Sequence, residues 1–304
     1  MFYEDKMRKV LICLGIPASG KSTWAKEQVA KDPNLVRINR DDLRHMAVNY
    51  VHNKGNEALM VKFRDKLLEE SLFSGRDVII DDTNFGNFEK IKLLVQSFHL
   101  NDDVTIEEVP FYIELKEAIE RDSKRPSPVT PPVVGVFWKK SGKESFKDYV
   151  AKVAVIPRES YPVHSEGQKA IICDLDGTLA IIGNRSPFDA KNCHRDLPNT
   201  PVVETLSLFH KQGYEILFVS GRHDTYKTQT EEFIKKHLPD LKYSLYMRKE
   251  GDDRKDFFIK KEIFLEHIYK KFHVSLVLDD RDQVVALWRR LFNLPTFQVD
   301  YGNF

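Results

Sequence analysis

Gly15–Ser22 reads GIPASGKS, and it stands directly after an apolar run, Val10–Leu14 (VLICL), and before a helical run from Lys21 to about Lys31. Strand, glycine-rich turn and helix in that order is the setting in which G-x-x-x-x-G-K-S wraps a polyphosphate. Gly15 and Gly20 free the backbone to curl around the phosphates, and the turn's N–H groups and the helix N-terminus supply positive potential. Lys21 is expected to reach the β- and γ-phosphates and Ser22 to hold Mg²⁺.

Outward from this turn, the chain alternates strand and helix. LVRIN ends at Asn39, which can cap a helix over Arg40–Val48; Glu57–Phe73 is a charged amphipathic helix. Asp77–Ile80 is a buried strand, Phe88–His99 a helix and Val104–Tyr112 a strand. This alternation predicts a doubly wound parallel sheet. SKRPSPVTPPV (Ser123–Val133) breaks the pattern as a proline-rich loop or lid, with a short helical piece near Val133–Lys140. Residues 1–155 thus read as one α/β domain and Ile156–Gln168 as a linker. A second α/β domain, 169–304, has strands at Ala170–Cys173, Glu215–Val219, Leu241–Met247 and Val274–Leu278. Its helices are expected at Val202–Gln212, Lys227–His237, Lys255–Phe272 and Gln283–Leu291.

Bulk properties fit this organisation. The 304 residues are ample for two domains, and 47 Lys and Arg against 46 Asp and Glu exclude blanket attraction to polyanions. Cys13, Cys173 and Cys193 form neither a disulfide framework nor a zinc pattern, and no apolar stretch approaches the roughly 20 residues of a membrane span. The expectation is a soluble protein of a reducing cytoplasm.

Other strand ends carry charged groups. INRDDLR puts Asp41 and Arg44 on one helix face, where a carboxylate can take a proton from an attacking hydroxyl and an arginine can clamp an acceptor phosphate. Ordinary first-turn acids and a solvated arginine would look the same. IIDDTN ends a strand with Asp81 and Asp82, either of which could lie near a metal or an acceptor. RDSKRP supplies Arg121, Lys124 and Arg125 beside the proline-rich segment, either as a phosphate-closing loop or as a solvated helix end. In the second domain DLDGTL places Asp174 and Asp176, i and i+2 at a strand end, on one side. Asp174 would attack phosphorus, and Asp176 would protonate the leaving oxygen and then activate water. Gly177 permits the turn and Thr178 can bond phosphate. FVSGR adds Ser220 and Arg222, GDDRKD adds Lys255 to neutralise a phosphoaspartate, and LVLDDR adds Asp279 and Asp280 as Mg²⁺ ligands.

DLDGT, SGR, Lys255 and DDR together resemble the haloacid-dehalogenase-type phosphatases. From about Val10 to Phe304 the run GIPASGKSTW, INRDDLR, DDTN, SKR, DLDGTLA, SGR, GDDRKD and DDRDQVVALWRR resembles the bacteriophage polynucleotide 5′-kinase/3′-phosphatase family. The resemblance implies ATP and Mg²⁺ as cofactors, with Gly15, Ser19, Gly20, Lys21, Ser22, Thr23 and Arg125 at the donor. It implies Asp41 as general base, with Arg44, Asp82, Thr83 and Arg121 at the acceptor. In the phosphatase it implies Asp174 as nucleophile, Asp176 as acid/base, and Thr178, Ser220, Gly221, Arg222, Arg248 and Lys255 on the substrate. Asp174, Asp176, Asp279 and Asp280 would surround the metal. The implied partners are DNA and RNA ends, with no membrane and with self-association as a further expectation; the compartment would be an infected host's cytoplasm if the chain is phage-encoded. GNRSPFDAKNCHRDL (Gly183–Leu197) is expected to form a small cap, with Arg185 and Arg195 either on nucleic acid or on a solvated surface. A small-molecule kinase fused to a small-molecule phosphatase, and a non-catalytic binder of nucleic-acid ends, are the competing readings.

Overall fold

The computed structural model describes residues 7–100, 103–125, 128–183, 185–186 and 189–302, the side chains of 143–145 excepted. It divides into two compact units, 1–158 and 159–304.

In the first unit β1 (Arg8–Leu14) leads through the phosphate loop into α1 (Lys21–Lys31), then β2 (Leu35–Ile38), α2 (Arg40–Val48) and α3 (Lys54–Phe73). There follow β3 (Asp77–Ile80), α4 (Phe88–Ser97), β4 (Val104–Pro110), α5 (Leu115–Ser123), α6 (Pro131–Lys140) and β5 (Val153–Ile156). The sheet order is β2-β3-β1-β4-β5; all pairs are parallel except β4–β5, which is antiparallel. β1 and β3 are buried nearly throughout, as central strands covered on both faces must be. Val10, Ile12, Val78 and Ile80 pack with Met60, Leu68 and Leu72 of α3 and Ile91 and Val95 of α4. Asn39 caps α2 as expected, its side chain accepting from Asp42 N at 2.9 Å.

The second unit runs β6 (Gln168–Cys173), the hairpin strands β7 (Ala180–Ile181) and β8 (Leu197–Pro198), and α7 (Thr200–Lys211). It continues with β9 (Glu215–His223), α8 (Lys227–His237), β10 (Tyr243–Arg248), α9 (Asp256–Ile263), β11 (Phe272–Arg281), α10 (Asp282–Ala286) and β12 (Thr296–Gly302). The main sheet, β10-β9-β6-β11-β12, is parallel throughout. One face packs Phe257, Phe264, Trp288 and Phe292; the other packs Leu206, Phe218, Phe233 and Ile234.

Both units are the parallel α/β layers anticipated, with four differences. β5 is an antiparallel edge strand that reaches into the stretch read as linker. β12 follows the helix read as the chain's last element. The proline-rich segment turns helical at Pro131, because prolines in a first turn forfeit N–H groups that have no intrahelical partner. The helix expected over Lys255–Phe272 ends in a π-turn at Phe264–Ile268, and Phe272 already belongs to β11. No helix among the described residues is long and apolar enough to cross a membrane.

Candidate active sites

Each unit carries one large cavity beyond the C-terminal ends of its parallel strands. In the first, a cavity of about 840 Å³ is lined by Ser19, Gly20, Lys21, Ser22 and Thr23 of the loop and by Asp41 and Arg44 of α2. Asp82, Thr83, Arg121 and Arg125 also line it. Gly15 lies behind the loop, its N–H donating to Thr83 O at 3.4 Å. Gly20 takes φ +96°, a left-handed conformation that glycine adopts without strain, to start α1. Lys21 folds back on the loop, Nζ donating to Ile16 O at 2.7 Å. Burial pushes its ammonium down to about 8, against the pull of Asp81.

Of the two carboxylates ending β3, Asp81 faces the loop: Ser22 Oγ donates to its Oδ1 at 3.2 Å, and Arg37 Nε donates to its Oδ2 at 2.7 Å. Burial raises the Asp81 pKa, with Arg37 and Ser22 opposing. Asp82 instead takes N and Nε of Arg40 at 3.0 and 2.8 Å, tying β3 to the start of α2. Arg44 is buried, and its guanidinium is engaged within the protein, donating to Asp41 Oδ1 at 2.5 Å and to both oxygens of Glu57 at 2.8 and 3.1 Å. Arg125 donates to Asp122 at 2.9 Å, and Arg121 pairs with Glu117 at 2.5 Å on an exposed helix face.

In the second unit a cavity of about 480 Å³ is lined by Asp174, Asp176, Gly221, Arg222, Arg248, Lys255 and Asp280. Thr178, Ser220 and Asp279 lie buried beneath it. Gly177 takes φ +83°, and a Cβ there would stand 2.3 Å from Asp280 Oδ2, so only glycine brings the turn this close to the acid pair. Thr178 Oγ1 donates to Asp280 Oδ1 at 3.2 Å, and Ser220 Oγ accepts from Arg222 N at 3.2 Å.

Two placements bear on these expectations. The lysine seen against Asp174 is Lys260, a residue outside the motif-based set. Lys260 Nζ lies 2.8 Å from Asp174 Oδ1, 3.0 Å from Asp279 Oδ2 and 3.5 Å from Asp256 Oδ2, wholly buried. Lys255 caps α9 at the cavity wall. Lys260 lies five residues further on, on the buried face of α9 with Phe257 and Ile263. Secondly, the carboxylates that converge are Asp174, Asp279 and Asp280, with ligand atoms within 4.8 Å of one another; Asp176 is not in this group. Its carboxylate is held by Arg222 Nε and Nη2 at 2.7 and 2.8 Å and by Arg185 Nη2 at 2.5 Å. Arg185 is therefore tied into the site, anchored in turn on buried Asp196.

These contacts divide the acids electrostatically. Burial drives the Asp174 pKa well above the carboxylate range, Asp279 and Asp280 add to it, and Lys260 opposes. Asp280 is pushed up to about 6 by burial and Asp279. Burial would raise Asp176 too, but hydrogen bonds and charge from Arg222 and Arg185 hold it below the usual range. Lys260, which burial alone would discharge, is held well above its ordinary value by Asp174, Asp279 and Asp256. A trio of crowded carboxylates with two members pushed upward fits a hard divalent cation, which oxygen ligands favour.

Lys260 is the residue that motif reading left unassigned, and the choice between Asp81 and Asp82, left open there, falls to Asp81 beside the loop. The signal for Lys260 is its place in DFFIKKEIF, on the stripe Phe257-Lys260-Phe264 where an apolar residue is expected.

A phosphate loop in one α/β unit and a strand-end aspartate cluster with a buried lysine in the other define a class: a P-loop kinase-type domain joined to a haloacid-dehalogenase-type phosphatase domain. Residues 168–304 match the family model of the polynucleotide kinase PNKP phosphatase domain, and residues 10–132 match that of an AAA domain. Each half of the chain thus matches a family model of its own, the C-terminal one that of a polynucleotide kinase's phosphatase domain. The chain is 30% identical, over 98% of its length, to a protein of Autographa californica nuclear polyhedrosis virus whose name joins a polynucleotide kinase to an RNA ligase; it spans 43% of that relative. It is also similar to chains in two structures of the Pnkp1/Rnl/Hen1 complex, one of them described as an RNA repair complex. Identities are 34% and 35%, each over 98% of this chain and 97% and 98% of those, with TM-scores of 0.46 and 0.48.

Proposed function

We propose that the chain heals nucleic-acid ends: residues 1–155 transfer the γ-phosphate of ATP to a 5′-hydroxyl of DNA or RNA, and residues 169–304, beyond a linker at 156–168, hydrolyse a 3′-phosphate. The observation that carries the kinase reading is that one cavity holds both the phosphate loop and the Asp41–Arg44 pair. Lys21 and Arg125 bind the donor phosphates, and Ser22 with Asp81 would hold the nucleotide's Mg²⁺. Asp41 takes the proton of the attacking hydroxyl. The Arg44 bond orients that carboxylate, and Glu57 fixes Arg44 from behind.

In the phosphatase Asp174 attacks phosphorus, the bond to the 3′-oxygen breaks, and a phosphoaspartate forms. Asp176 gives the leaving oxygen its proton, then takes one from the water that hydrolyses the acyl phosphate. Asp174, Asp279 and Asp280 would hold a divalent cation, which when bound neutralises charge on the transferred phosphate. Lys260 opposes the upward drive of burial on Asp174 and favours its ionised form, and Arg222 and Arg248 reach the phosphate oxygens.

The test is a pair of assays: transfer of labelled phosphate from ATP to a 5′-hydroxyl oligonucleotide, and phosphate release from a 3′-phosphate oligonucleotide. Asp41→Ala is expected to abolish the first and spare the second, and Asp174→Ala to do the reverse. Absence of transfer to every oligonucleotide, with transfer to small alcohols, would return the small-molecule reading.

A further inference from the structure

The lining of the phosphatase cavity is chemically mixed. Asp174, Asp280, Arg222 and Arg248 form its charged part. Ile182, Ala190 of the segment expected to form a cap, His223 at the end of β9 and Tyr226 line the same cavity without carrying any of the chemistry above. Tyr226 ends a 3₁₀ turn, Asp224–Tyr226, that leaves β9 directly after the strand end bearing Ser220 and Arg222. The turn is pinned: Asp224 Oδ1 accepts from Glu250 N at 3.0 Å, which ties it to the loop after β10. The Tyr226 ring is partly exposed, and among the described residues it stacks on no other ring and its hydroxyl has no hydrogen-bond partner. A large, partly exposed aromatic side chain in the lining of a cavity, held on an anchored turn and stacked on no other ring, is a ready surface for another ring.

We propose that Tyr226 stacks on the base of the 3′-terminal nucleotide and so makes the phosphatase selective for nucleotide ends over bare phosphomonoesters. This rests on the end-healing reading. A phosphate seated between Asp174 and Arg222 points its ester oxygen away from the buried strand ends, toward the rim, and the sugar and base follow it there. An apolar wall at Ile182 and Ala190 and an aromatic face at Tyr226 suit a base, whose rings are apolar on their faces whatever their identity. Stacking of this kind is tolerant of sequence, so the selectivity is for the presence of a base rather than for one base.

The experiment compares two oligonucleotides with a 3′-phosphate, one ending in a normal nucleotide and one in an abasic residue. The readout is the ratio of kcat/KM on the two substrates, taken within each protein, so a general loss of activity cancels. The wild-type ratio is expected to be about 10. Tyr226→Ala and Tyr226→Leu, the latter keeping bulk without an aromatic face, should bring it to about 1, and Tyr226→Trp should hold or raise it. A ratio that survives in both non-aromatic variants overturns the proposal. So does a wild-type enzyme that releases phosphate equally from both ends, and in that case the end-healing reading stands. A wild-type enzyme that releases phosphate from neither oligonucleotide removes that reading, and this proposal with it.

Discussion

Lys260→Met removes one charge and keeps nearly the same volume, so it isolates what that charge does. The ammonium stands 2.8 Å from Asp174 and 3.0 Å from Asp279, with all three side chains buried. At an effective dielectric of ~20 each of those contacts is worth about 6 kcal/mol of attraction, much of it offset by the desolvation of the groups involved. The usual net cost of removing one partner from such a buried pair is about 3–5 kcal/mol. The protein can avoid an uncompensated buried carboxylate by protonating it, and Asp174 is the member already displaced upward. Protonated Asp174 is not a nucleophile. The same energy therefore reappears as a loss of roughly 10²–10⁴-fold in kcat/KM for 3′-phosphate release near neutral pH. Because a raised carboxyl pKa is recovered by alkali, the residual activity should climb with pH further than the wild-type activity does. The kinase unit has its own core and its own sheet, so 5′-phosphorylation by the same preparation serves as the folding control. Lys260→Met with phosphatase kcat/KM within tenfold of wild type and an unshifted pH profile would refute the reasoning.

The other predictions are simpler. Lys21, brought down to about 8 from a lysine's usual 10.5, is charged below that pH and largely neutral above it, whereas bound polyphosphate favours the charged form. Binding of ATP should therefore take up protons near and above pH 8 and almost none at pH 6, measurable by calorimetry in buffers of different ionisation enthalpy. Asp81→Ala removes the partner of both Ser22 and Arg37 and should lower kinase kcat/KM by roughly 10–100-fold without changing 3′-phosphatase activity. Gly177→Ala forces a Cβ to within 2.3 Å of Asp280 Oδ2 at φ +83° and should reduce phosphatase activity by about tenfold or more, with the kinase again unaffected.

The parts of this molecule that were legible in the sequence are those where local chemistry and tertiary role agree. GIPASGKS needs its glycines for the turn and its lysine for the ligand, and Asn39 caps α2 because a side-chain oxygen at that position reaches Asp42 N. The apolar runs ending in Asp81–Asp82, Asp174 and Asp279–Asp280 are central strands, whose C-terminal ends must face the cleft of a parallel α/β sheet. The parts that escaped are those where long-range packing decides. β5 and β12 are edge strands: Val153 and Val155 are exposed on one, Phe297 on the other, and short exposed strands carry little periodic signal. Lys260 reads locally as one of a pair of helix lysines; only its place on the buried face of α9 separates it from Lys261, which pairs with Glu159 at the surface. Arg185 lies in an irregular segment, and its partners Asp176 and Asp196 are nine and eleven residues away. Nothing short of the folded cap brings the three together.

That cluster bears on how one carboxyl can serve as both acid and base. Asp176 as held here is ionised, because Arg222 and Arg185 together outweigh its burial. An ionised carboxylate suits the second step, in which it takes a proton from water, but it cannot supply the proton that the leaving 3′-oxygen needs in the first. The substrate resolves this. Its phosphate brings negative charge to the same cavity and competes with Asp176 for Arg222, whose guanidinium lines both. Each hydrogen bond that Arg222 transfers to phosphate is one that no longer holds Asp176 down, and the added negative charge raises its pKa further. In the proposed reaction the acid form is thus created by binding and lost again when the phosphate moves to Asp174 and then departs. Arg222→Lys, which keeps the charge but not the two-pronged grip on Asp176, separates these contributions. It should shift the basic limb of the kcat/KM profile upward in pH, because Asp176 enters that step as the acid and the free enzyme's Asp176 is then less strongly held. An unmoved basic limb would mean that Asp176 owes its ionisation to Arg185 alone.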